Sequence, residues 1–277
     1  MTNITATPTG RTEHVVVQMI PSRSGSLPSQ LLIETGRLLR RWSRQQEVMT
    51  STLVLPVLLL LMFDLVLTRS LGLSSDADPI YGFVPMIAIA GAMYGAMGTG
   101  LSLYGERQSG LLRRFWVLPI HRSAGLLGRL LAECVRAAVV TLVVVLIGML
   151  LGLRFQQGWP GFFGVLAVPV LLIAGFTPAV ILVGVSRIGD KVVQLAAIVV
   201  LIGMFFNSGF VPLDNYPDLI QPVVRAQPMS CAIEAMRGLI LGGPVATPLL
   251  QTAAWSLGLA AVFGVLAVRG YRAAAES

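Results

Sequence analysis

YGERQSGLLRRFWVLPIHRSAGLLGRLLAE, Tyr104 to Glu133, is a polar stretch that separates two long apolar runs and carries five of the chain's twenty basic residues. Within it Leu111, Leu112, Phe115 and Trp116 recur at i, i+1, i+4 and i+5, one face of a short helix bracketed by Gly110 and Pro119. Glu106, Arg107, Arg113 and Arg114 supply charge around that face. Beyond Pro119, Leu126, Leu127, Leu130 and Leu131 repeat the spacing with Arg122 and Arg129 directed elsewhere, so a second amphipathic segment leads into the next apolar run. Two readings fit this pattern: a solvated loop on lipid headgroups, or a docking surface for a cytoplasmic partner.

The remaining composition decides what the apolar runs are. Of 277 residues, 55% are hydrophobic and 12% charged, against about a quarter charged in soluble domains. The chain is expected to be an all-α integral membrane protein of the plasma membrane. A net charge of +7 would suggest nucleic acid in a soluble protein, but the cations are arginines except Lys191 and lie between apolar runs, where the positive-inside rule accounts for them. Residues 1–26 are rich in Thr, Ser and Pro, lack an apolar signal core and read as a cytoplasmic tail. Two cysteines, Cys134 and Cys231, make no disulfide framework and are placed on opposite membrane faces by the topology below.

From Leu27 the sequence becomes periodic. Leu27, Leu31, Leu32, Leu38, Leu39 and Trp42 share one face and Arg37, Arg40, Arg41 and Arg44 another, the pattern of an interfacial helix. Each such arginine contributes about 1 kcal/mol of attraction to an anionic cytoplasmic leaflet, which holds the N-terminus inside. Apolar runs near the ~20 residues that a bilayer requires then occur at about Met49–Leu67, Val84–Leu103, Arg136–Leu153, Phe163–Val185, Val192–Phe210 and Leu249–Val268. Six spans put both termini inside and leave only Arg69, Arg154, Arg225 and Arg237 outside. Residues 27–272 are thus expected to form the transmembrane domain, with 273–277 a short C-terminal tail.

Gly91, Gly95 and Gly98 in the second span read as a small-residue packing face. Pro56, Pro85, Pro169 and Pro178 are expected to kink helices. Asp64 is the one carboxylate placed well inside an expected span, with a snorkelling or helix-pairing role beside Arg69. Met204, Phe205 and Phe206 read as ordinary packing. Between the last two runs, residues 207–244 are too polar to span and too apolar for a free loop. They read as a re-entrant pair of short helices, Tyr216–Val224 and Ser230–Leu241, separated by Gln227 and Pro228, with Glu234 and Arg237 paired at i, i+3.

Catalytic chemistry has few materials here. Lys191 sits in RIGDKV, which is not the phosphate loop GxxxxGK[ST]. His14 and His121 are the only histidines, and neither HExxH nor GxSxG occurs. No enzyme, metal or cofactor is expected in this chain. A transport subunit powered from elsewhere fits best; a membrane scaffold and a channel subunit are the alternatives.

The segments ERQSGLLRRFWVLPIHRSAGLLGRLLAE (106–133) and GFVPLDNYPDLIQPVVRAQPMSCAIEAMRGLILGG (209–243) resemble permease subunits of type-2 ABC exporters of the actinobacterial daunorubicin-resistance type. The similarity covers roughly Leu27 to Arg272. It implies an ATPase-coupling region with Glu106, Arg107 and Gly110 before a short coupling helix carrying Leu112, Phe115 and Trp116. It also implies an outer re-entrant gate marked by Pro212, Pro217, Pro228, Glu234 and Arg237. Two separate ABC ATPase subunits binding ATP and Mg, a second six-span permease, surrounding membrane lipids and a bulky hydrophobic substrate are the partners implied. Mycobacterial members of this family export the lipid phthiocerol dimycocerosate and relatives expel anthracyclines, so both substrate types follow as expectations.

Overall fold

Apolar periodicity, punctuated by Pro, Gly and Asn, divides the described residues into helices, with no strand among them. The computed structural model describes residues 27–44, 49–68, 79–110, 122–186, 188–211 and 213–276. The helices are α1 (Leu27–Arg44), α2 (Leu55–Phe63, flanked by π-helical turns at Thr50–Val54 and Asp64–Thr68), α3 (Ile80–Gln108), α4 (Arg122–Leu150) and α5 (Gly158–Gly184). They continue as α6 (Gly189–Phe205), α7 (Gln221–Ala226), α8 (Pro228–Leu241) and α9 (Ala246–Glu276).

Among the described residues four helices are long and apolar enough to cross a membrane: α3, α4 over Gly125–Leu150, α5, and α9 over Ala246–Gly270. The other two expected spans correspond to shorter apolar helices, Thr52–Val66 around α2 and the 17-residue α6. Several expected boundaries move. The Leu126–Leu131 segment is continuous with the apolar run that follows, so α4 starts 14 residues before Arg136. Helix α9 runs to Glu276, through the expected tail, because RAAAE is made of good helix formers. The first of the two expected short helices is Gln221–Ala226, preceded by a 3-10 turn at Leu213–Asn215, and Pro228 is the first residue of α8 rather than a separator. There its missing N–H costs nothing.

Helix α3 is the axis of the bundle: 89% of its apolar span is buried, against 11% for that of α9. It packs on α2, α4, α5, α6 and α8, and α9 packs on the far side of α5. Among lipid tails this association rests on close van der Waals fit. The α3–α5 crossing is close at Gly100 and Gly184, where a Cβ on Gly184 would stand 2.7 Å from the Gly100 carbonyl oxygen of α3. The glycine face read from the sequence is only partly used this way. Gly91 meets the side chains of Pro56 and Val140, Gly95 meets a guanidinium, and Gly98 has nothing within 4 Å. At the start of α3, Phe83 stacks with Phe63 and Phe210, ring centroids 5.6 and 6.4 Å away. Met204 is buried while Phe205 and Phe206 are 46% and 50% exposed, so only the methionine packs in the core.

These contacts set two substitutions against each other. Gly184→Val drives its side chain into the α3 backbone and is expected to destabilise by about 1–3 kcal/mol, whereas Gly98→Ala gains up to about 1 kcal/mol of helix propensity. Thermal unfolding of the purified variants in detergent checks this; equal midpoints would remove the close α3–α5 approach as a determinant.

Candidate functional site

Where α3 runs out of apolar residues, Glu106 in its last turn turns inward and is 5% exposed. Its Oε1 accepts from Nη1 of Arg41, 2.8 Å away in the last turn of α1, and its Oε2 accepts from Nη2 of Arg129 on α4. One carboxylate thereby joins three helices. Arg129 is buried alongside it, while Arg41 is about half exposed and reaches the protein surface. About two turns deeper along α3, Thr99 donates to Oε1 of Glu133, whose Oε2 pairs with Arg136 one turn further along α4. Arg136 Nη2 also lies 3.4 Å from Thr99 Oγ1. Gly95 makes room for this guanidinium, since a Cβ there would be 3.0 Å from Arg136 Nε.

Two further bonds pin neighbouring elements. Arg107 Nη1 donates to the Val185 carbonyl at 2.6 Å, meeting one of the orphan carbonyls at the C-terminal end of α5, where the helix dipole favours a cation. Thr35 Oγ1 donates to the Gly128 carbonyl at 3.3 Å, so α1 seats its Leu31, Thr35, Leu38 and Trp42 side against α4 and leaves Leu32 outside. Gly110, with φ 70, ends α3 in the left-handed conformation that favours glycine.

Of the residues read as a coupling region, Glu106 and Arg107 are therefore bonded to the protein's own helices, and Gly110 is the stop of α3. Leu112, Phe115 and Trp116 lie outside the described residues. The sequence reading missed the pairing of Arg41, Thr99, Arg129, Glu133 and Arg136, and besides Asp64 the bundle holds two buried carboxylates, Glu106 and Glu133. The spacing Glu133-x-x-Arg136 was the available signal. It is hidden because Arg136 reads as the first residue of an apolar run. Asp64 is partly exposed, and its expected neighbour Arg69 lies outside the described residues.

At the other end of α3 a second polar layer holds the 207–244 segment. Asn207, fully buried, stops the chain from continuing α6: its Oδ1 accepts from the N–H groups of Gly209 (2.7 Å) and Phe210 (3.1 Å). Arg237 of α8 donates to the Ser208 carbonyl and to Glu234 Oε1, each at 2.9 Å, the latter being the i, i+3 pair read from the sequence. Gln227 donates to the Phe206 carbonyl and to Ser230 Oγ, and Trp255 Nε1 of α9 donates to the Ala226 carbonyl at 2.8 Å. Tyr216 donates to the Asn207 carbonyl, and burial pushes its phenol up. A cavity of about 530 Å³ opens beside α8, with Arg225, Glu234 and Arg237 on its wall. Pro217 forms the turn before α7, its carbonyl accepting from Ile220 and Gln221; Pro228 begins α8; Pro212 lies outside the described residues.

A helical bundle with four helices long and apolar enough to span, among the described residues, and a largely buried charge cluster at one end has the build of a multi-pass integral membrane protein. Its sequence matches the model of the ABC-2 type transporter family over residues 29–241, and the chain belongs to that family. It is 39% identical over 246 residues, 89% of each chain, to the probable doxorubicin resistance ABC transporter permease protein DrrC of Mycobacterium tuberculosis. To the daunorubicin resistance ABC transporter permease protein DrrB1 of Streptomyces coeruleorubidus it is 28% identical over 255 residues, covering 91% of this chain and 89% of that one. The putative transport permease ycf38 of Cyanophora paradoxa is 25% identical over 219 residues, 76% of this chain and 73% of its own. The protein is a multi-pass plasma-membrane protein.

Removing one partner of a buried ion pair leaves the other charge uncompensated, at a cost of about 3–5 kcal/mol. Arg129→Met should therefore lower the thermal midpoint sharply, and adding Glu106→Gln should restore part of the loss. If the single variant unfolds like the wild type, the pair does not bind α3 to α4.

Proposed function

We propose that this chain is the transmembrane permease subunit of an ATP-driven exporter that moves a bulky hydrophobic substrate outward. Anthracycline-type drugs are one substrate class, supported by the doxorubicin and daunorubicin resistance in the names of two relatives. Complex lipids such as phthiocerol dimycocerosate are the other, supported only by the sequence resemblance. The single observation that carries the coupling part is Glu106. It ties the interfacial α1 to α3 and α4 beside the residues that join α3 to α4 in the sequence.

Six spans with both termini inside fit the four long helices, the two shorter apolar ones and the charge bias at every connection. Energy comes from separate ATPase subunits, two copies with their own ATP and Mg, because this chain has no phosphate loop. A second permease, identical or related, completes the path. Leu112, Phe115 and Trp116 enter the ATPase, where aromatic anchors dominate binding. Arg107 and Gly110 hold the base of that segment, and Arg41, Glu106 and Arg129 pass its displacement to the spans. At the outer end, Pro212, Pro217, Pro228, Glu234 and Arg237 belong to a re-entrant gate, supported by the polar layer that fastens α7 and α8 to the end of α6.

An interface core tolerates charge badly, so Trp116→Asp should abolish both ATPase recovery and efflux while membrane levels stay normal, since the spans are unchanged. Co-expression with the ATPase, pull-down and doxorubicin efflux check it. Wild-type recovery and efflux would move the coupling contact to another segment, with the Arg187 to Lys191 region next.

A further inference from the structure

Between α1, α3 and α4, beside the ion cluster, lies a cavity of about 90 Å³ walled by Leu38, Trp42, Thr99, Arg129, Glu133 and Arg136 among others. One water needs about 10–15 Å³ on this measure, so the space takes several waters or one tetrahedral oxyanion group. Two buried donors of its wall residues, Arg129 Nε and Trp42 Nε1, have no acceptor among the described residues. The Arg129 side chain is only 4% exposed, and a buried guanidinium N–H without an acceptor is costly.

The charge balance points the same way. In the cluster the guanidiniums of Arg41, Arg129 and Arg136 face two carboxylates, Glu106 and Glu133, which leaves one positive charge in excess. The excess falls on Arg41, the half-exposed member, which places a cation able to attract an anion beside the cavity. Arg41 also lines a wider groove of about 760 Å³ along α1, together with Leu32, Ile33, Arg40 and Arg44. One end of that groove is apolar, with Leu32 and Ile33 68% and 71% exposed, and the other is basic. The eight residues from Ile33 to Arg41 rise about 12 Å along a helix, which matches the distance between a headgroup and its upper acyl carbons.

We propose that this cavity and groove bind one anionic membrane phospholipid, its phosphate seated among Arg41, Trp42 and Arg129 and its apolar part against Leu32 and Ile33. The phosphate oxygens take the two free N–H groups and neutralise the excess charge, and the lipid bridges α1 to α4 next to Glu106. Occupancy requires neither an ATPase nor export, so its test is separate from that of the proposed transport function.

Native mass spectrometry of the full chain, purified in its assembled state and stripped of lipid, reads the site with dioleoyl phosphatidylglycerol, dioleoyl phosphatidylcholine and inorganic phosphate as separate probes. One phosphatidylglycerol per chain should saturate it, about tenfold tighter than phosphatidylcholine, as expected for a charge-assisted contact. Arg129→Lys keeps the cation for Glu106 but removes the fork, and should weaken phosphatidylglycerol about tenfold. Trp42→Phe keeps the ring and loses the N–H, and should weaken it about fivefold; this variant carries the test if Arg129→Lys does not fold. Wild-type affinity in the folded variants, or equal binding of phosphatidylcholine, overturns the proposal. Saturation by inorganic phosphate alone assigns the cavity to a free oxyanion and likewise overturns it.

Discussion

A carboxylate taken out of water where a helix meets the membrane face must be matched by cations, and Glu106 is matched by two from different helices. That constraint organises this end of the bundle. It fixes the last turn of α1 over the ends of α3 and α4, and it leaves Arg41 as the member that still reaches the surface. Replacing such a cluster with apolar groups often costs little stability, so its value lies in specifying one relative placement of three helices. The Glu133–Arg136 pair with Thr99 repeats the device deeper in the bundle, and Gly95 supplies the space it needs.

Helix α3 carries this placement to the opposite end. Its first turns sit beside the Asn207–Phe210 corner, where a Cβ on Gly82 would stand 3.0 Å from Arg237 Nη2. Arg237 in turn holds the Ser208 carbonyl. A single helix of 29 residues, with Pro85 in its second turn, therefore touches both polar layers.

Much of the architecture was legible in the residues. Hydropathy located the apolar helices, the arginine stripe located α1, and the Pro and Gly pattern of 207–244 announced two short helices with a Glu234–Arg237 pair. The polar interior was not legible, for a physical reason. Charges mark the ends of apolar runs, so Glu133 and Arg136 read as boundaries and Glu106 as part of a coupling region, whereas all three are inward-facing members of long helices. Pairing across 65 residues, as between Arg41 and Glu106, leaves no local spacing to find. Gly98 and Gly100 differ by two positions, and only the crossing with α5 decides that Gly100 is the contact.

In the proposed coupling route the Arg41–Glu106–Arg129 cluster would pass work from the segment between α3 and α4 to the spans without being needed for hydrolysis itself. The most direct measurement is ATP hydrolysis and substrate efflux, read together, in vesicles holding the Glu106→Gln chain with its ATPase. The account predicts hydrolysis close to wild type with efflux lost. Efflux that stays in proportion to hydrolysis would contradict it.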